Sequence, residues 1–293
     1  SQKQHPKQFS FEFFPPKGEE GAARLNATRD SLARLNPRYV SVTFGAGGST
    51  REGTLETVRD LLTSGLDTAP HLSCIGSTRE SIIELLNSYR EMGVKRIVAL
   101  RGDMPSGMRD TGDLHYANEL VEFIRNETGD HFHIEVAAYP EFHPQAKSAQ
   151  DDLQNFKRKV EAGANGAITQ YFYNIDAYLR FIDDCEKLGI AIPIVPGIMP
   201  LTNIKQIARF SDMCGAEIPR WLRLRLEGFG DDIDSVRSYG LEVTAELCRR
   251  LLEAGAPGLH FYTMNQAAAT QTIWESLDIK IDLYRGELPS DNY

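Results

Sequence analysis

The feature that most restricts the fold of this chain is an alternation of eight short apolar runs, rich in β-branched and aromatic residues, with longer segments of helical periodicity. The runs are FSFEFF (9–14), YVSVTF (39–44), APHLSC (69–74), KRIVAL (95–100), FHIEVAAY (132–139), GAITQYF (166–172), IPIVPGI (192–198) and GLHFYT (258–263). Between them, residues 77–92 place Ser77 and Glu80 at capping-box spacing and Ile82, Ile83, Leu86 and Tyr89 on one face. Residues 150–163 carry Leu153, Phe156 and Val160 on one face, and 202–213 and 234–254 are similar. Strand then helix, eight times over, is the pattern of a parallel β/α architecture, and eight units close into a barrel. The competing doubly wound sheet needs a glycine fingerprint after its first strand, and FFPPKGEEG has no GxGxxG spacing there. The expectation is an α/β fold, a single (β/α)8 TIM barrel over 9–280, with a loose polar tail at 1–8 and a C-terminal tail at 281–293.

Charge limits the partners. With 32 basic and 41 acidic residues, a formal net charge of −9 and no long basic run, attraction to nucleic acid or anionic membrane is not encoded globally. An anionic ligand would have to meet a local cluster of cations. Cys74, Cys185, Cys214 and Cys248 show no CxxC spacing, which argues against a zinc ribbon or a disulfide framework. No apolar stretch approaches the roughly 20 residues of a membrane helix. The expected setting is cytoplasmic.

In a β/α barrel, functional groups gather at the carboxyl ends of the strands. Glu12 lies late in the first run and Thr43 ends the second; His71 and Ser73 lie in the third, and Arg101, Gly102 and Asp103 follow the fourth. Tyr139, Glu141 and His143 follow the fifth, Gln170 lies late in the sixth, Gly197 ends the seventh and Tyr262 the eighth. The opposite ends carry mostly Lys, Arg and Pro, with no comparable constellation. Glu12 is the anomaly, a lone carboxylate in an aromatic strand, read as an edge-strand surface residue, as a carboxylate paired to a buried cation, or as an acid in the barrel mouth. In the mouth, low polarity would raise its pKa and suit it to general-acid work. Arg101 and Asp103 read either as a loop-ordering salt bridge or as contacts to an anionic group and a polar heterocycle. Asp152, Asn155 and Lys159 flank an apolar stripe, and taken alone they suit a solvated salt-bridged face. Phe210 leaves the stripe of its helix, either to pack on IPRWL or to stack on a flat ligand. His131 and His133 open the fifth run, the wrong end for catalysis, so no metal is expected. A Schiff-base lyase would need a lysine within a strand, and only Lys95, at a strand start, is offered.

The motifs FEFFPPK, VSVTFGAGGSTR, APHLSC, IVALRGD, AAYPEFHPQAKS, KRKVEAGANGAITQYFYN, VPGIMP and HFYTMN together resemble methylenetetrahydrofolate reductases of the short bacterial kind, from about residue 9 to 278. The resemblance implies noncovalent FAD, ping-pong reduction of 5,10-methylenetetrahydrofolate to 5-methyltetrahydrofolate by NADH or NADPH, a supply of one-carbon units to methionine synthesis, and a homo-oligomer. It implies Glu12 as the acid that helps open the methylene bridge and Asp103 as a second catalytic residue between flavin and pterin. Gln170, Gln206, Phe210, Tyr262 and Gln266 would meet folate, with Gln206 at its tail. Flavin contacts implied near the strand ends are Thr43, Phe44, Ala46, His71, Arg101, Gly102 and Asp103. Further ones are Tyr116, Ala117, Tyr139, His143, Ala146, Asp152, Asn155, Arg158 and Lys159. Gln266 departs from the FYTxNR pattern of many relatives, so a cationic contact to the folate tail is lost or comes from elsewhere.

Overall fold

The computed structural model describes residues 1–44, 50–103 and 110–279. Strands and helices alternate: β1 (Gln8–Phe13), α1 (Gly18–Ala33), β2 (Tyr39–Val42), α2 (Arg51–Thr63), β3 (Thr68–Ser73), α3 (Arg79–Glu91), β4 (Arg96–Leu100) and α4 (Ala117–Thr128). The second half continues with β5 (His133–Ala138), α5 (Ala149–Glu161), β6 (Gly166–Thr169), α6 (Ile175–Lys187), β7 (Ile194–Val195) and β8 (Gly197–Ile198). It closes with α7 (Ile204–Cys214), α8 (Arg220–Glu227), α9 (Ile233–Ala254), β9 (Gly258–Tyr262) and α10 (Ala268–Ser276). All strand pairs are parallel, in the order β7-β6-β5-β4-β3-β2-β1-β9-β8.

The seventh expected strand is therefore two short pieces, β7 on β6 and β8 on β9, and only Pro196 lies between them. Proline has no N–H to give the ladder, so pairing breaks there. Its carbonyl still accepts from His260 N at 2.9 Å, and the break does not open the barrel. The sixth run ends as a strand at Thr169 rather than at 172.

Alternation sorts the side chains. Phe9, Phe11 and Phe13 point outward under the helices, where Phe9 meets Trp274 edge-on at 5.0 Å and Phe11 lies 6.0 Å from Phe261. Each buried aromatic of this kind is worth about 1.5–3 kcal/mol. Ser10 and Glu12 point the other way, into the barrel. The helices start where side-chain oxygens cap them: Thr50 on α2, Ser148 on α5, Asn174 on α6, Asn203 on α7 and Asp232 on α9. For α3 the cap is Thr78, which accepts from Ser81 N, and not the expected Ser77. Gly258 opens β9 at φ +130°, and a Cβ there would run into the Gln8 carbonyl. This close approach sets where β1 and β9 begin to pair.

The amino terminus also differs from expectation. Residues Gln2–Gln4 form a short 3-10 turn, and buried Gln2 donates from Nε2 to Ile192 O at 3.1 Å and accepts from Ile194 N at 2.8 Å. Those bonds satisfy the unpaired start of β7, so the segment is docked rather than loose. The tail at 281–293 lies outside the described residues. Among the described residues no helix is long and apolar enough to cross a membrane.

The amino end of the barrel holds a cluster that the sequence reading did not expect. Arg96 Nη1 is 2.5 Å from Glu135 Oε1, His133 Nε2 is 3.0 Å from the same oxygen, and the Glu135 side chain is 0% exposed. Arg96 also lies over the Tyr39 ring at 4.5 Å. Gly166 makes room for the carboxylate, since any Cβ there would collide with Glu135 Oε2. Breaking a buried pair leaves an uncompensated charge, so Arg96→Met should lower unfolding free energy by about 3–5 kcal/mol. Urea denaturation checks this; an unchanged midpoint would mean that Glu135 does not depend on its cation.

Candidate active site

At the carboxyl ends of the strands the barrel opens into a cavity of about 600 Å³. Val98, Leu100, Ile168, Met199 and Phe210 give it apolar walls, and Glu12, Thr43, His71, Asp103, Gln170 and Tyr262 supply polar groups. Size and lining suit a flat, partly polar ligand. Phe44, Gly102 and Tyr139 also line it, so strand-end candidates from β1 to β6 and from β9 converge on one space. Phe210 packs in a cluster with Ile218 and Leu222, as one of its two expectations has it, and also lines the cavity.

β1 is flanked by β2 and β9, so Glu12 stands inside a closed sheet and not on an edge. Its Oε2 is 3.4 Å from His71 Nε2 and 3.4 Å from His260 Nε2, with 18% of the side chain exposed. The expectation of a raised pKa is overturned. Burial is the largest single influence and does push Glu12 up, but the imidazoles of His260 and His71 together outweigh it and bring the group from 4.5 down to about 2. Without ligand, Glu12 is a carboxylate. His260 was not among the sequence candidates, although the parallel register that sets Ser10 beside His260 and Glu12 beside Tyr262 follows from alternation in HFYT. Tyr262 is fixed in turn by donating to Thr169 O at 2.7 Å.

A polar shelf adjoins the cavity beyond β5. Buried Asp152 accepts from His143 N at 3.1 Å, and the His143 and Tyr139 rings meet edge-on at 4.7 Å. Lys159 Nζ donates to Ala137 O at 2.9 Å and sits 5.6 Å from the Tyr139 ring centre. Asp152 and Lys159 thus turn inward, against the expectation of a solvated face, because α5 packs this side onto β5. Burial brings Lys159 down to about 8, opposed in part by Asp152. Burial also lowers His143, again opposed by Asp152. Arg101 Nη1 donates to Gln145 Oε1 at 2.8 Å, a partner across the loop rather than Asp103.

Other candidates stand apart from the cavity. Tyr116 is 59% exposed at the start of α4, with Ala117 buried behind it, and Ala146 follows the His143 turn. Asn155 accepts from Arg158 on the outer face of α5, and Gln206 and Gln266 are exposed. Ala46 lies outside the described residues. Thr43 Oγ1 and Arg101 Nε are buried without hydrogen-bond partners, and buried His71 Nε2 has only the 3.4 Å contact to Glu12. Partnerless buried atoms are rare. These groups, in β3 or just after the neighbouring strands β2 and β4, could hold a polar heterocycle.

The sequence model of one family, methylenetetrahydrofolate reductase, matches residues 1–278. The chain belongs to this family. The 5,10-methylenetetrahydrofolate reductase of Pectobacterium carotovorum is 42% identical over 281 residues, covering 94% of this chain and 92% of its own. That of Escherichia coli K12 is 42% identical over 272 residues, 92% of this chain and 90% of its own. An Arabidopsis thaliana methylenetetrahydrofolate reductase (NADH) is 40% identical, covering 88% of this chain but 46% of its own. Membership bears out the resemblance read from the motifs. Among solved structures, an uncharacterized Clostridium thermocellum protein that binds two copies of 5-methyl-5,6,7,8-tetrahydrofolic acid has a TM-score of 0.66 at 16% identity, covering 94% of this chain and 95% of its own. At that identity the likeness concerns the fold alone.

The inward turn of Lys159 is open to a direct check. Its ammonium should titrate near 8 rather than 10.5 by NMR of the labelled side chain. A lysine depressed on folding binds fewer protons folded than unfolded. Stability should therefore rise as pH rises from about 8 towards 10.5, and Lys159→Met should flatten that rise. A titration at 10.5 would place the amine in open water.

Proposed function

We propose that the protein binds FAD in the carboxyl-end cavity and reduces 5,10-methylenetetrahydrofolate to 5-methyltetrahydrofolate with NADH or NADPH, the two substrates using one site in turn. The observation that carries this reading is the ionisable Glu12, held by His71 and His260 and facing a cavity that Thr43 also lines with a buried, partnerless Oγ1. A bound flavin supplies hydride transfer, taking hydride from the nicotinamide and giving it to the folate. Thr43 and His71 fit the polar edge of its ring, and Lys159, His143 and Arg101 offer cationic or donor groups to its diphosphate in a chain of net charge −9. The product would feed one-carbon units to methionine synthesis.

The protein's part is placement and proton handling. Glu12, protonated once ligand covers it, gives that proton to the departing nitrogen as the bridge carbon–nitrogen bond breaks, which leaves an electrophilic iminium on the substrate. Asp103 and Gln170 line the same cavity and orient the pterin by hydrogen bonds. Phe210 and Tyr262 close its apolar sides and exclude water.

Purified protein should show a flavin spectrum, bleached by NADH and restored by methylenetetrahydrofolate. A colourless preparation that FAD does not reconstitute would overturn the reading. Glu12→Gln should still be bleached by NADH, while folate-driven reoxidation falls by about 100-fold or more. Normal reoxidation in that variant would remove Glu12 from the acid role. Asp103→Asn should shift the flavin potential and slow folate reduction; no change in either would leave Asp103 as a wall residue only.

A further inference from the structure

Behind Glu12, on its side away from the cavity, β1 and β9 carry a buried polar pair. Ser10 and His260 are both 0% exposed, with Ser10 Oγ 2.7 Å from His260 Nδ1. The other ring nitrogen, Nε2, faces Glu12 Oε2 at 3.4 Å. The ring is flanked by Tyr39, near-parallel at 6.2 Å, and by Tyr262, edge-on at 5.3 Å. A hydroxyl accepts from Nδ1–H whether or not Nε2 also carries a proton, so Ser10 serves His260 equally in its cationic and neutral states. A proton can therefore leave Nε2 without any rearrangement behind it.

The groups facing the pair are Glu12 on β1, Tyr39 on β2, His71 on β3 across the carboxylate, and Tyr262 on β9. Burial raises the pKa of both tyrosines, so neither competes for the proton. Arg96 on β4 lies over Tyr39, but its charge is matched by Glu135 on β5.

We propose that His260 is a positioning residue that stores the proton Glu12 delivers, with Ser10 holding its tautomer. This deepens the folate reading above and rests on it. In this scheme His260 holds the stored proton on Nε2, beside Glu12 Oε2, while the mouth is open. A ligand over the mouth strips water from the part of Glu12 still exposed, 18% of the side chain, and the ion pair loses its hydration. The proton then passes from His260 Nε2 to Glu12 Oε2, leaving two neutral groups joined by one hydrogen bond. When the bridge carbon–nitrogen bond breaks, its electron pair takes that proton from Glu12, and the bridge carbon receives the hydride. Glu12 is again a carboxylate, and water reprotonates His260 through it once the product leaves. One proton is consumed per turnover, as the reduction requires.

The test is stopped-flow measurement of both half-reactions against pH in the FAD-loaded wild type, H260Q and S10A. Reduction by NADH serves as the control. Oxidation by methylenetetrahydrofolate should fall about 10- to 100-fold in H260Q and about 10-fold in S10A, with the pH profile displaced in both. Wild-type rates and profile in H260Q would overturn the storage role. Isotope-edited infrared spectra of the wild type keep the proposal testable should H260Q not fold. A protonated-carboxyl band, missing in E12Q, should appear when methylenetetrahydrofolate binds the oxidised enzyme, where no hydride is available, and its absence would overturn the transfer step. A wild type that is reduced by NADH and oxidised by folate, alongside an unaffected H260Q, sinks this inference alone; a wild type that never turns over folate sinks both readings.

Discussion

Glu12 reaches the cavity with one oxygen 3.4 Å from each of two imidazole nitrogens, and this contact forms because β1 pairs in parallel with both β2 and β9. Side chains alternate along each strand, so a shift of one residue would turn Glu12 outward under the helices and bring Phe11 or Phe13 into the barrel. The aromatic face of β1 resists that shift, since Phe9 and Phe11 pack on Trp274 and Phe261. The packing that makes the strand so apolar is also what aims its one carboxylate.

Below Glu12 the barrel interior stays polar. Ser10 and His260, then Tyr39, Arg96 and Glu135, form a descending series of contacts to His133 at the amino end. Buried ion pairs contribute little net stability relative to apolar replacements. The Arg96–Glu135 pair makes better sense as a floor: it holds the Tyr39 ring against His260, and the ring holds the imidazole towards Glu12. Stability comes instead from the apolar shell between strands and helices.

Much of this was legible in the chain. Eight runs gave the strands because parallel strands are buried on both faces and stay apolar throughout. The carboxyl-end residues Thr43, His71, Asp103, Gln170 and Tyr262 converge because the barrel brings those strand ends together. What failed were properties of pairs distant in sequence. The sequence suggests an apolar setting for Glu12 because its neighbours in the chain are phenylalanines, whereas its neighbours in space are His71 and His260. Asp152 and Lys159 looked solvated because helix periodicity does not reveal which side faces β5. The break at Pro196 and the docking of Gln2 under β7 likewise depend on closure of the whole sheet.

The account depends on Glu12 being ionised between its two imidazoles while the mouth is open. Carbon-13 NMR of the Glu12 carboxyl in ligand-free protein, titrated downward in pH and assigned through E12Q, measures this directly. The expected midpoint is about 2, against an ordinary 4.5. A midpoint at or above 4.5 would mean that burial wins over the histidines, and the imidazole-held carboxylate described here would be wrong.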